Sequence, residues 1–389
     1  MKYFLRGLIP DPERRRVLLA IISLLSIYGL TVGFFYPLIS LNMELRGYSS
    51  SLIGLMGALP FLASIIVSPM IPFIMRFMDV RRWVFISICS DIFFIFLMIL
   101  SENIYIWFVS RFMMGVAGTI LFVVSETWIN EVAEDHYRGR VMGLYTFVFS
   151  ATLGISPLFI VVLGAQGNLP FIVALVIIAA GLLPLRWTRG QTPDFSGGKA
   201  SHVLMFCLLA PTLVGATALM AFEEALVVTL MPVYALRNGL TEASAALILT
   251  VAAIGSMAAQ PLVGRLADSM NRNLLLFICA LLILVGAILL PFIIQTKILL
   301  WIVMFIWGGA IAAIYTVALT IMGSRFRGAQ LAAGNAAFGL MWGVSGTVAP
   351  GLGGLGMTAW GPNGFVYILV SAVVAFLILA IIRARFARR

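Results

Sequence analysis

Long apolar stretches alternate with short polar ones along the whole chain, and the alternation predicts helices that cross a membrane. About 20 helical residues, rising 1.5 Å each, span the roughly 30 Å of bilayer hydrocarbon. Twelve stretches fit, at about 17–41, 51–75, 83–100, 104–128, 139–164, 170–187, 204–235, 242–267, 274–294, 298–322, 329–356 and 364–382. The gaps between them are short and rich in Gly, Asn, Pro, Ser and charge, the composition of turns. The longest interior gap, 188–203, reads as a flexible linker between an N-terminal six-helix bundle, 1–187, and a C-terminal one, 204–389. The first span, Val17–Leu41, is too long for a signal-peptide core and is expected to remain in the mature protein.

Composition agrees with the pattern. Hydrophobic residues make up 62% of the chain and charged residues 10%, with mean hydropathy +1.09. Soluble domains carry about 25% charged residues, so this chain lacks the polar surface to face water all round. The net charge of +10 does not point to nucleic acid, because the basic residues punctuate the gaps instead of covering one face. Of the 25 lysines and arginines, 21 fall at the termini, in the linker and in alternate loops. The opposite loops hold only Arg46, Arg237 and Lys297, and Arg111 lies inside a span. This bias places both termini and the linker in the cytoplasm, in a bacterial inner membrane.

Cys89, Cys207 and Cys279 lie in apolar runs, and His136 and His202 form no pair, so neither a metal centre nor a disulfide framework is expected. No cofactor is implied, and no Ser/His/Asp set, metal cluster or phosphate loop suggests an enzyme. Gly351-Leu-Gly-Gly-Leu-Gly356 spells Gly-x-Gly-x-x-Gly, but without a preceding strand it is no nucleotide site.

The halves repeat. Arg46-Gly-Tyr-Ser-Ser-Ser aligns with Asn238-Gly-Leu-Thr-Glu-Ala at an offset of 192 that also carries Pro69 onto Pro261 and Arg76 onto Asp268. Arg138-Gly139 matches Arg327-Gly328, and Gly154-Ile-Ser156 matches Gly343-Val-Ser345, at an offset of 189. Internal duplication in a polytopic chain places a substrate site between the halves, near the bilayer midplane.

Local motifs follow the same plan. Gly264-Arg-Leu-Ala-Asp268-Ser-Met-Asn-Arg272 follows the eighth span; its first-half equivalent runs from Pro72 through Arg76 and Asp79 to Arg81-Arg82. Arg111-Phe-Met-Met-Gly115 opens the fourth span, and Ala349-Pro350-Gly-Leu-Gly353-Gly354 lies in the eleventh. Together these resemble the major facilitator superfamily over essentially the whole chain. Glu126-Thr-Trp-Ile-Asn130 with Arg138-Gly-Arg140 is similar to its YcaD-like branch.

The resemblance implies a cytoplasmic gate at Gly264, Asp268 and Arg272. In the first-half loop, where Arg76 stands at the acidic position and Arg81 follows, the gating motif is degenerate. The Pro350–Gly354 segment resembles part of the family's antiporter motif, which belongs in span five. Span five here keeps only Gly154 and Pro157 of that pattern, so helix packing is favoured over antiport for these residues.

Charged groups inside the spans are costly and mark function or pairing. Asp91 in the third span is the nearest partner for Arg111, leaving a structural ion pair and a coupling or substrate role both open. Glu126 reads as a gate residue. Glu223 and Glu224 interrupt the apolar seventh span; adjacent helical residues point about 100° apart, and Glu224 is the expected proton-coupling group.

The expectation is an all-α membrane protein, twelve helices in two pseudo-symmetric six-helix bundles, acting as a secondary transporter. Proton-coupled efflux of an amphipathic or drug-like solute suits the Met-, Phe- and small-residue-rich spans. The alternatives are uptake of a small anionic metabolite at Arg111, or a scaffold that moves nothing. Expected partners are the solute, protons and the lipid bilayer, with the chain a monomer.

Overall fold

The computed structural model describes residues 12–132, 138–188 and 203–386, and among these there are helices and turns but no strand. Most of the expected linker, both histidines in the loops and the chain ends lie outside the described residues. Twelve helical segments stand where the apolar runs predict them. In the first half they are α1 Pro12–Leu45, α2 Ser50–Ile74, α3 Val80–Leu100, α4 Ile104–Val132, α5 Arg138–Ile155 continued by Leu158–Leu163, and α6 Leu169–Leu185. In the second they are α7 Pro211–Arg237, preceded by a short helix Val203–Leu209, α8 Glu242–Ser269, α9 Arg272–Ile293, α10 Lys297–Arg325, α11 Gly328–Trp360 and α12 Gly364–Phe386. Among the described residues, ten helical stretches are at least 20 residues long and apolar enough to cross a bilayer unaided.

Local chemistry sets the breaks. Pro157 lacks an N–H to continue the ladder, and α5 is interrupted there by a turn. Pro211 does the same at the start of α7, so the single span expected from 204 divides at Ala210. Thr241 caps α8 by accepting from the Ser244 N–H at 3.2 Å, and Asn271 caps α9 by accepting from the Asn273 and Leu274 N–H groups. Gly47 and Gly239, related by the 192-residue offset, follow α1 and α7 with φ of 80° and 85°. A side chain is rarely tolerated in that left-handed region, so the repeat preserves the turn as well as the helices.

Each half shows the same packing. In the first, α3 lies against α4 and α6; in the second, α9 lies against α10 and α12. α1 crosses α5 closely where Gly29 and Gly33 meet the Phe149–Ser156 stretch, and the corresponding α11 lies against α7, with Gly353 meeting Leu226 and Leu230. Small residues allow this approach where lipid supplies no hydrophobic drive between helices. Hydroxyls on these helices bond back to the carbonyl four residues earlier, as Ser40 to Tyr36 and Thr119 to Gly115, leaving little polar surface for the bilayer.

The packing resolves into two compact units. One takes in the described residues of Met1–Phe35, Leu62–Phe159 and Gln166–Gly198. The other takes in those of Tyr36–Phe61, Ile160–Ala165 and Lys199–Arg389.

Candidate functional site

The first unit holds Asp91 on α3 and Arg111 on α4, which the packing of these helices brings together. Both are buried, at 2% and 4% exposure, and the guanidinium acts electrostatically on the carboxyl. A buried charge needs such an answer. Asp91 Oδ1 nevertheless makes no hydrogen bond. Glu126, half-buried, lies 15 residues along α4 from Arg111, about 22 Å, with the Tyr145 hydroxyl of α5 within reach of its charge. Arg81, at the start of α3, donates from Nε to the Leu185 carbonyl at 3.1 Å and so holds the last turn of α6. Arg76 is exposed. Gly154 and Pro157 are buried at the interruption of α5.

In the second unit, α7 carries Glu223 and Glu224 in an otherwise apolar run. Glu223 is fully enclosed, and no hydrogen bond of normal geometry reaches either of its carboxyl oxygens. Glu224 is partly exposed, with Oε2 enclosed and unpartnered. The indole of Trp307, on α10, lies beside the Glu223 carboxyl, although its own Nε1–H also completes no hydrogen bond of normal geometry.

At one end of this unit, residues 36–61 and 160–165 are fastened to α7, α8 and α11. Arg237 grips Glu44 with both prongs, Nε to Oε1 at 2.6 Å and Nη2 to Oε2 at 2.9 Å. Ala165 is held from both sides: its N–H donates to Glu242 Oε2 at 2.7 Å and its carbonyl accepts from Asn42 Nδ2 at 2.8 Å. The Ser51 and Thr358 hydroxyls meet at 2.7 Å. Below them α2 and α11 cross with backbones touching, since a Cβ on Gly54 would strike the Pro350 carbonyl and one on Gly354 the Ser50 carbonyl. Gly57 rests on Thr229, and Phe61 covers Gly346 while tilting against Tyr36. The Pro350–Gly354 segment thus serves a close crossing with α2 and, through Gly353, with α7.

The loop after α8 is more open. Asp268 is 81% exposed and lies 3.9 Å from Arg272, one turn on, while Arg272 Nε donates to the Ala267 carbonyl at 2.9 Å. Gly264 has open space around its Cα. A polar recess beside this loop is lined by Asn271, Arg272, Asn273, Ser324 and Arg325.

The fastened end and Trp307 escaped sequence reasoning. In the sequence Arg237 stands only as one of three cations in the sparsely basic loops, and nothing there singles out Glu44 or Trp307. The usable signal was the repeat, which sets the Arg46 turn opposite the Asn238 turn and so brings attention to both ends of the first loop in each half.

Comparison with known proteins gives a consistent result. The family model described as Major Facilitator Superfamily matches residues 19–209 and 213–389. The uncharacterized MFS-type transporter YfkF of Bacillus subtilis (strain 168) is 25% identical over 345 residues, 86% of this chain and 87% of that protein. The uncharacterized MFS-type transporter YcaD of Salmonella typhimurium is 24% identical over 281 residues, 71% of this chain and 72% of its own length. Among solved structures, a mutant form of the nucleoside transporter NupG superposes with TM-score 0.80 at 11% identity, covering 94% of this chain and 99% of that one. The D-xylose-proton symporter gives 0.71 at 16% identity, covering 94% and 97%. At these identities the structures speak to the fold alone.

Proposed function

The chain belongs to the Major Facilitator Superfamily and is a secondary transporter, and we propose that it exports a small amphipathic or drug-like solute in exchange for protons. The halves 1–187 and 204–389 are the bodies that alternate access, in a bacterial inner membrane with both termini cytoplasmic. The fastened end carrying Glu44 and Arg237 then faces outward, on the side with few basic residues, and forms the outer gate. The loop of Gly264, Asp268 and Arg272, with Arg76, Arg81 and Glu126, belongs to the inner side.

The observation that carries this reading is the pair of acids on α7 whose enclosed oxygens receive no hydrogen bond of normal geometry. A carboxylate without partners in apolar surroundings is costly, and a bound proton or a cationic group removes that cost. One site can therefore hold a proton and a cationic solute in turn, which is exchange. Glu224, the partly exposed member, is the group that meets the solute; Glu223 is shut away. One-for-one exchange of a proton for a monovalent cation moves no net charge, so the pH gradient drives it, at about 1.4 kcal/mol per pH unit. Coupling to protons is named for the D-xylose-proton symporter; for this chain it rests on the acids of α7. Arg111 is a weaker centre for anion uptake, because Asp91 beside it offsets its charge.

Inverted membrane vesicles with an imposed pH gradient test the reading, with ethidium as the amphipathic cation. Wild-type protein is expected to accumulate it, and Glu224→Gln to lose accumulation while still equilibrating the dye downhill. Accumulation retained in Glu224→Gln would overturn the role of Glu224, and absence of accumulation in the wild type would overturn export of amphipathic cations.

A further inference from the structure

Besides the acids of α7, the second unit presents an amide at depth in a span. Gln260 is exposed on α8, in a run whose bulky members are apolar. It stands 18 residues from Glu242, about 27 Å along the helix. On α7, which runs antiparallel beside it, Glu224 stands 13 residues from Arg237, about 20 Å from the same end. The amide therefore lies about 7 Å farther than Glu224 from the fastened end, toward the Asp268 loop.

Helical geometry divides this part of α8 into three faces. Ile254, Ala258 and Leu262 form an exposed apolar ridge at four-residue spacing, the side suited to lipid. Ala252, Gly255 and Ala259 meet α10: a Cβ on Gly308 would strike the Ala252 carbonyl, one on Gly255 the Phe305 carbonyl, and one on Gly309 the Ala259 side chain. Ser256, Gln260 and Gly264 form the third ridge, about 200° round from the first. An amide turned into hydrocarbon is costly. Gln260 is turned away from the lipid side, on a ridge of small residues where the space beside Gly264 is open. The duplication keeps the ridge polar, since the 192-residue offset carries Ser256 and Gln260 onto Ser64 and Ser68 of α2, whose hydroxyl oxygens lie 3.4 Å apart.

The amide is also fixed. The Thr316 hydroxyl of α10 has one proton to give, and its nearer acceptor is Gln260 Oε1 at 2.9 Å, with the Ala312 carbonyl at 3.1 Å. The backbone contacts between α8 and α10 hold the two residues at that spacing. The accepting end of the amide is thereby engaged, and the Nε2 N–H groups have no partner among the described residues. A held donor with nothing to donate to is suited to a group that accepts, such as a carbonyl or ring nitrogen.

We infer that Gln260 is a solute-binding residue, with Thr316 as its positioning residue, and that the solute carries a hydrogen-bond-accepting oxygen or nitrogen as well as its positive charge. Glu224 answers the charge, and Gln260 selects for the acceptor. This rests on the export reading above and narrows its substrate class.

Equilibrium binding to the detergent-solubilised full chain tests it with two cationic probes. Rhodamine 6G carries an ester carbonyl, and tetraphenylphosphonium has no hydrogen-bonding group. Gln260→Met keeps an unbranched side chain of similar length and removes the amide; Gln260→Leu serves if the methionine variant does not fold. Rhodamine 6G is expected to bind about tenfold more weakly, the worth of one hydrogen bond, with tetraphenylphosphonium unchanged. Thr316→Val, which leaves the amide but frees it, is expected to weaken rhodamine 6G alone and by a smaller factor. Unchanged rhodamine 6G binding in the Gln260 variant, equal weakening of both probes, or a wild type that does not bind rhodamine 6G overturns the inference. The two readings fail separately. Loss of ethidium accumulation in Glu224→Gln with both probes unaffected at Gln260 leaves the transport reading standing and removes this one. Selective loss of rhodamine 6G at Gln260 with accumulation retained in Glu224→Gln does the opposite.

Discussion

An arginine at depth in a membrane helix is stable only while its charge is answered, so the Asp91–Arg111 pair is a place where one atom-scale change has a large effect. Removing one partner of a buried pair typically costs about 3–5 kcal/mol, because the other charge is left behind, whereas replacing both by apolar groups is often close to neutral. Arg111→Met is therefore expected to lower the thermal unfolding temperature sharply, and Asp91→Leu with Arg111→Met to recover much of the loss. Equal destabilisation by the single and double variants would show that the pair does not act as a unit. This pairing was legible in the sequence because two isolated charges in adjoining apolar runs have few other partners. The Glu44–Arg237 fork was not, because loop charges are plentiful and only the folded chain chooses among them. Its exposure, 14% and 26% for the two side chains, makes it a fixer of geometry more than a source of stability.

Among the helices, the apolar runs specified where each element lies, and the 192-residue offset specified that the halves fold alike. Neither told which faces meet. α8 and α10 show why: the contact depends on Gly255 and Gly308 accepting a neighbour's carbonyl where a Cβ would sit, and a glycine in an apolar run carries no label for that use. Gly339 on α11 looks the same in sequence, yet nothing lies within 4 Å of its missing Cβ. The two sites therefore respond in opposite directions. Gly308→Ala forces backbones apart, an overpacking cost of about 1–3 kcal/mol, and lowers the unfolding temperature. Gly339→Ala meets no obstacle and relieves the entropic cost of glycine in a helix, a gain of about 0.5–1 kcal/mol. Unfolding in detergent measured side by side decides this, and equal effects at the two positions would contradict the close crossing of α8 on α10.

For the molecule as a whole, the orientation and the outer gate proposed above are both open to chemical test. Asn168, between α5 and α6, and Asn273, at the start of α9, are exposed. Cysteine placed at each is expected to label from outside and from the cytoplasm respectively; labelling of both from one face would defeat the twelve-span orientation. The proposed outer gate asks for a stronger test, because under that proposal residues 36–61 part from α7, α8 and α11 in every cycle. Ser51 and Thr358 bring their hydroxyl oxygens to 2.7 Å across that contact, so sulfurs in their places come within reach of the roughly 2.05 Å bond of a disulfide. Ser51→Cys with Thr358→Cys, in a chain whose Cys89, Cys207 and Cys279 are replaced by serine, is expected to crosslink on mild oxidation. Dye accumulation should then stop and return on reduction, while either single variant stays active and insensitive to oxidant. Loss on oxidation of the pair alone would mean that the contact must open for transport. Undiminished accumulation by a fully crosslinked protein would mean that this end never opens, and the alternation of the two halves would have to be abandoned.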